Sequence, residues 1–305
     1  MILHPRYVVP ILLLLLQHFS HGADYALQTS GTHTVPSGGY QMSDMVSIAA
    51  NDVLDISGTE GATPLHELKA SGTGITWPPN YIATATTCWR HFKVLKAATL
   101  KLRHLKLTGG VSGIDTQFGV YYMGGSIFVN GRLEATSVWF YGNKANRGGA
   151  IFVRTDESSP AIAVVQSCTF EGNTARIAGG AIMAQGSTAT FEIKQTLFKG
   201  NRELFKSSGE YGDSVTVNSG GIVNFLEGLN KFEDTGGTDR TLMYNYADAG
   251  AAIVFNTCRP STYQTTATQT QTGQLKWGNF EGCPKTCPTG KTTRLFKYVS
   301  SFSLL

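Results

Sequence analysis

The sequence predicts an all-β fold, a parallel β-solenoid of stacked coils, and three observations predict it. The first is repetition. Gly148-Gly149-Ala150-Ile151 returns as Gly179-Gly180-Ala181-Ile182, with Gly124-Gly125-Ser126-Ile127 as a looser copy. Phe140-Tyr141-Gly142-Asn143 returns as Phe170-Glu171-Gly172-Asn173 and as Phe198-Lys199-Gly200-Asn201. The Phe phrases lie 30 and 28 residues apart, and a fixed period of a few tens of residues marks a stacked-repeat fold. The second is strand periodicity before each Phe. Stepping back from Phe198 gives Thr196, Ile193 and Phe191; from Phe170, Cys168, Val165 and Ala163; from Phe140, Val138, Ala135 and Leu133; from Leu107, Leu105, Leu102 and Leu100. Each set describes two short strands with two inward residues apiece and a two-residue corner between them. The third is that none of these segments sustains the three- and four-residue spacing of an amphipathic helix.

A single coil of this kind cannot bury its inward face, so coils must stack and pile like residues into interior ladders. Phe140, Phe170 and Phe198 are expected in one interior column. Gly-Gly suits a tight corner because glycine reaches positive φ without steric cost. Asn143, Asn173 and Asn201 end their strands at equivalent positions, where asparagine tolerates the left-handed region and bonds backbone. They are expected to form a structural ladder of corners rather than a ligand site.

The alternation of Phe-x-x-Asn with Gly-Gly-Ala-Ile resembles the right-handed parallel β-helix repeats of the pectin-lyase-like superfamily, and in particular those of polymorphic outer membrane proteins and their secreted relatives. The copies cover about residues 97–201, and Asn245-Tyr246-Ala247-Asp248-Ala249-Gly250-Ala251-Ala252-Ile253 reads as a weakened extension. The resemblance implies a right-handed β-helix. It implies no particular activity, because unrelated functions share the fold.

Taken in order, residues 1–23 read as a signal peptide: Arg6, an apolar run from Val8 to Leu16, then small residues at Ser20, Gly22 and Ala23. Residues 24–96 read as an N-terminal capping region with the first coils, in which Val46-Ser47-Ile48 and Val53-Leu54-Asp55-Ile56 look like strands and 73–87 like a loop. Residues 97–257 form the β-helix proper, in one domain. Residues 258–305 read as a Thr/Gln-rich linker and a cysteine-containing tail, and Cys283-Pro284-Lys285-Thr286-Cys287 resembles the opening of an ephrin-receptor-like module. An exported chain without a further apolar run has no membrane span once the signal is removed, and is expected to be secreted or held at the cell surface.

Of the five cysteines, Cys168 takes an inward position and is expected as a buried thiol. Cys88, Cys258, Cys283 and Cys287 remain for disulfides in an oxidising compartment, with the pairing left open. The net charge of +4 does not suggest nucleic-acid binding. The densest basic stretch is Arg90 to Lys106. Within it Lys101, Arg103 and Lys106 flank inward leucines and form the candidate ligand row, for an extracellular acidic polysaccharide; an ordinary solvated face is the alternative.

Catalytic signatures are missing. A glycosidase needs two carboxylates at a set separation, and Asp213, Asp234, Asp239 and Asp248 are scattered over the irregular part. There is no P-loop, no His-Glu-x-x-His and no dinucleotide fingerprint. No catalytic residue, metal or cofactor is assigned. The reading is a non-catalytic structural, adhesive or glycan-binding β-helix, with polysaccharide or other surface proteins as partners. A polysaccharide lyase or glycosidase on the same fold is the alternative. An autotransporter passenger is a third reading, for which the C-terminal strands of a membrane barrel are lacking.

Overall fold

The computed structural model describes residues 29–70, 90–112, 123–155, 159–204, 213–226, 230–233 and 251–253, with the backbone of 241–245, of 254–255 and of a few short strands further on. The chain is all-β through these residues, and its strands stack as a parallel β-solenoid.

Three long sheets form its faces. The first contains Val53–Ser57, Thr99–Arg103, Arg132–Thr136, Ala161–Gln166, Ala189–Lys194 and Ile222–Phe225, each parallel to the next. The second contains His66–Ala70, Leu105–Thr108, Trp139–Tyr141, Thr169–Glu171, Leu197–Lys199 and Lys231–Glu233. The third contains Phe92–Val94, Ile127–Val129, Ile151–Arg154, Ile182–Gln185 and Val215–Asn218. Between the second and third sheets lies a short one of Lys144–Arg147, Thr174–Ala178 and Arg202–Glu203. Crossovers between parallel neighbours of this kind are almost always right-handed.

The register follows the residue offsets. Leu100, Leu133, Ala163 and Phe191 stand side by side on the first sheet, and Leu107, Phe140, Phe170 and Phe198 on the second. The Phe rings stack face over face, with centroids 4.8 Å apart between Phe140 and Phe170 and 5.1 Å between Phe170 and Phe198. Phe232 continues the column at 4.7 Å. These spacings match the separation of strands, so the backbone ladder holds the rings in offset contact. All of these side chains belong to one continuous core.

Two kinds of corner turn the chain. Between the first and second sheets, His104, Ser137, Ser167 and Gln195 occupy the left-handed region, with φ between 50° and 55°. Left-handed backbone is costly for these residue types. It is held because Ser137 and Ser167 donate their amides to the next coil, to the carbonyls of Gln166 and Lys194. At the Gly-Gly corners the two glycines do different work. Gly148 and Gly179 have positive φ. Gly149 and Gly180 instead pass so close to the coil above that a methyl group would run into the carbonyl oxygens of Gly180 and Asp213.

Gly31–Thr34, Tyr40–Met42 and Val46–Ile48 open the three sheets. Three features depart from the sequence reading. The weakened repeat near Asn245 is not a repeat of the same corner. Asn245 pairs with Val217 on the third sheet and Ile253 with Val223 on the first, whereas Ile151 and Ile182 both lie on the third; the resemblance there is one of composition. In the stretch read as a linker, Thr268–Gln269 pairs antiparallel with Gln274–Lys276. Strands of the tail run antiparallel against the last strands of all three sheets, where a solenoid otherwise offers open edges. Finally, Arg90 and His91 do not belong to an outer basic row. Both are buried. Arg90 donates through Nε to the Gly124 carbonyl at 2.8 Å and through Nη2 to that of Met123 at 2.6 Å, and its guanidinium lies 5.6 Å from the Phe128 ring. An arginine can be buried in this way because its planar fork satisfies several acceptors at once.

Candidate functional site

Among the described residues no group of three or more His, Cys, Asp or Glu side chains is placed to hold a metal ion. A hydroxyl and an imidazole do meet: Ser126 Oγ lies 3.0 Å from His91 Nδ1, and His91 Nε2 lies 3.0 Å from the Leu68 carbonyl. Both side chains are fully buried, so no substrate reaches them. The carbonyl contact places the proton on Nε2 and leaves Nδ1 to accept from the serine. Burial lowers the His91 pKa to about 4, against the smaller opposing pull of the Leu68 and Thr108 carbonyls and the Glu67 charge. The pair is a neutral structural clasp between coils.

Asn143, Asn173 and Asn201 form a buried ladder. Nδ2 of each donates to the carbonyl one coil back, namely Leu107 at 3.2 Å, Phe140 at 2.9 Å and Phe170 at 2.9 Å. Nδ2 of Asn143 and of Asn173 also donates to Oδ1 of the next asparagine, at 3.0 Å in both cases. The same Oδ1 atoms accept the backbone amides of Asn143 and Asn173. With their capacity spent inside the protein, these amides have nothing to offer a ligand.

The basic row is placed differently from a binding stripe. Lys101 and Arg103 lie on the first sheet and Lys106 on the second, with the His104 corner between them. Each faces a carboxylate from an adjacent coil. Arg103 Nη2 is 2.8 Å and 2.9 Å from the two oxygens of Asp55, Lys101 is 3.8 Å from Glu134, and Lys106 is 3.9 Å from Glu67. Glu134 also takes Arg132, at 2.6 Å. The three cations thus stand in a stitched row of ion pairs, not a free positive stripe.

The outer face of the second sheet carries what the sequence reading passed over. Trp139 and Tyr141 project outward on either side of the buried Phe140. Their rings meet edge to face at 5.4 Å, with the planes 73° apart. Lys106 reaches over both, its Nζ 4.8 Å from the Trp139 ring and 4.9 Å from that of Tyr141. Such contacts hold a cation and two rings in place with a contribution of about 0.5–1 kcal/mol each at exposed sites. Tyr141 remains 43% exposed. In register beside the aromatic pair are Thr108 on one side, and Thr169 and Glu171 on the other. Glu171 pairs with Lys199 at 3.1 Å. The result is a rigid aromatic step in a strip of hydroxyl, carboxylate and ammonium groups. The signal was present in the sequence: Trp139 and Tyr141 are large aromatics at outward positions, where their counterparts in the next coil are Thr169 and Glu171.

Cys168 is a buried free thiol whose pKa burial pushes up to about 12, which suits an inert core residue. Cys88, Cys258, Cys283 and Cys287, like the signal-peptide stretch 1–23 and the loop at 73–87, lie outside the described residues. Among the described residues no helix is long and apolar enough to cross a membrane.

Residues 167–185 match the Chlamydia polymorphic membrane protein repeat. The match runs from the left-handed Ser167 corner through Phe170, Asn173 and the Gly179-Gly180 corner to the end of Ile182–Gln185, about two thirds of one coil, without its strand on the first sheet. Neither among curated proteins nor among solved structures does any match the chain. That repeat family is associated with the cell surface and outer membrane. The protein is a parallel β-helix repeat protein whose coils resemble those of the polymorphic membrane proteins.

Proposed function

We propose that the protein works as a non-catalytic adhesive β-helix at the cell surface and binds glycan through the outer face of the second sheet. The observation that carries this reading is the step of half-buried Trp139 and exposed Tyr141 with Lys106 lying over both rings. Aromatic side chains give large, rigid contact area at little entropic cost. The apolar C–H face of a sugar ring packs against such a surface, while Thr169, Glu171 and Lys199 stand ready to meet its hydroxyls. The matched surface-protein repeat supports the same assignment. Nothing in the strip presents a carboxylate pair held for acid–base work, since Glu67 and Glu171 are each engaged by a lysine.

The test is binding to an array of immobilised glycans by the native chain and by a Trp139→Ala, Tyr141→Ala double variant, with thermal unfolding as the folding control. The reading predicts retention on a subset of glycans and a loss of about ten-fold or more in the variant, the size expected when an aromatic anchor is removed. Absence of binding to every glycan, or equal binding by both proteins, overturns it.

A further inference from the structure

The short sheet between the second and third faces presents a different surface. Its strands, Lys144–Arg147, Thr174–Ala178 and Arg202–Glu203, carry four cations and one acid. The acid, Glu203, is buried, as are Ala145 and Ala175 beside it in register. Lys144, Arg147 and Arg176 are half-buried and Arg202 is exposed. Lys144, Thr174 and Arg202 stand in line across three coils. Lys144 and Arg202 are therefore two strand spacings apart, about 10 Å.

What marks this face is a group of cations, close together, without carboxylate partners. On the first and second sheets Lys101, Arg103, Lys106, Arg132 and Lys199 have a carboxylate within 4 Å, while Lys69 and Lys194 stand singly without one among the described residues. Among the described residues no carboxylate lies within ion-pair distance of Lys144, Arg147 or Arg202. An uncompensated row of like charge on a rigid scaffold raises the local potential and favours a ligand with matching negative charge.

We propose that this face binds an extended acidic polysaccharide, sulfated or carboxylated, running across the coils along the line from Lys144 to Arg202. The polymer is favoured over a compact anion because Lys144 and Arg202 stand two coils apart instead of converging on a point. It is favoured over a flat anionic surface because the row lies on a strip one short strand wide. The inference stands on the charge pairing alone and does not depend on the aromatic step of the second sheet.

The experiment compares two variants with the same net charge. One carries Lys144→Gln, Arg147→Gln and Arg202→Gln; the other carries Lys101→Gln, Arg103→Gln and Lys106→Gln. Binding of dextran sulfate is measured at low and physiological salt, with uncharged dextran and phosphatidylserine-containing vesicles as further arms. The first variant is expected to lose about ten-fold or more in affinity and to show a shallower salt dependence, and the second to change by less than about three-fold. Equal losses in both would reduce the effect to net charge and overturn the proposal. So would tight binding to vesicles with none to dextran sulfate. Should the first variant fold poorly, acetylation of the native protein decides: bound dextran sulfate should protect Lys144 and leave Lys69 reactive, and no protection of Lys144 overturns the proposal.

Discussion

Asn173 Nδ2 donates at 2.9 Å to the carbonyl of Phe140, the residue that opens the same corner one coil earlier. It donates equally to Asn201 Oδ1, at 3.0 Å, while Asn173 Oδ1 accepts the Asn143 amide at 3.0 Å. One side chain therefore satisfies backbone groups that the corner takes out of the sheet ladder. Removing it strands them in the interior, at a cost of about 1–3 kcal/mol for each buried group left unpaired. Asn173→Ala is expected to lower unfolding stability by about 2–4 kcal/mol. Asn173→Asp is expected to be worse, since a carboxylate cannot donate to Phe140 and brings its charge into the core. Urea denaturation measures both; an alanine variant within about 0.5 kcal/mol of the native chain, the range of ordinary surface substitutions, would show that the ladder is dispensable.

Phe170 and Glu171 are adjacent and face opposite ways. Phe170 is fully buried between the rings of Phe140 and Phe198. Glu171 is partly exposed and makes a single surface pair with Lys199. Phe170→Ala is expected to cost about 3–5 kcal/mol through lost burial and the cavity left in the column. Phe170→Asp should prevent the middle coils from forming at all. Glu171→Ala should shift stability by no more than about 1 kcal/mol. Similar melting temperatures for Phe170→Ala and Glu171→Ala would contradict the register.

The register was legible because strand periodicity has only two phases, and the Phe and Leu offsets select one of them. The Phe column and the Asn corners could be aligned from Gly-Asn alone. The short sheet was harder to see. Lys144, Arg176 and Arg202 are scattered in sequence, and only the stacking of coils brings them together. The pairing of the basic stretch was hidden for the complementary reason. Arg103, Lys101 and Lys106 are close in sequence, but their partners Asp55, Glu134 and Glu67 lie 48, 33 and 39 residues away. Proximity along the chain says little about charge on a solenoid, where neighbours are one coil apart. Arg90 shows the same limit, because its acceptors are carbonyls at a corner more than thirty residues on.

Gly142 and Gly149 separate two reasons for glycine within one coil. Gly142 has φ 65° and open space where a Cβ would go. Gly142→Ala is expected to cost about 1–2 kcal/mol, the strain of a left-handed non-glycine residue. Gly149 has no such φ, but a methyl group there would collide with the backbone of Gly180 and Thr174 in the next coil. Neither obstacle is a side chain that can swing aside. Gly149→Ala is expected to destabilise by about 3 kcal/mol or more, at or above the upper end for overpacked cores. Gly142→Asn should recover part of the Gly142→Ala loss, since asparagine enters the left-handed region more readily. Thermal melts of the three variants check the order, and a Gly149→Ala protein as stable as Gly142→Ala would refute the close approach of the coils.

His91 gives the fold a built-in sensitivity to acid. Its pKa is lowered from 6.5 to about 4 by burial. Between these values the unfolded chain binds a proton that the folded chain refuses, so the unfolded state gains stability as pH falls. The contribution of neutral His91 is complete above pH 6.5, declines as pH drops through that value, and is lost by about pH 4. A shift of this size corresponds to roughly 3 kcal/mol. Arg90 beside it on the chain is itself a cation, and the Glu67 charge offsets the burial of the imidazolium only in part. A His91→Gln variant isolates the histidine, because glutamine keeps a donor for the Leu68 carbonyl and an acceptor for Ser126 but does not titrate. The stability difference between native and variant chains should stay constant from pH 8 to 7 and shift in favour of the variant as pH falls from 6.5 toward 4. A difference that stays flat over the whole range would mean that His91 is protonated without penalty, and that its burial in the clasp with Ser126 is wrong.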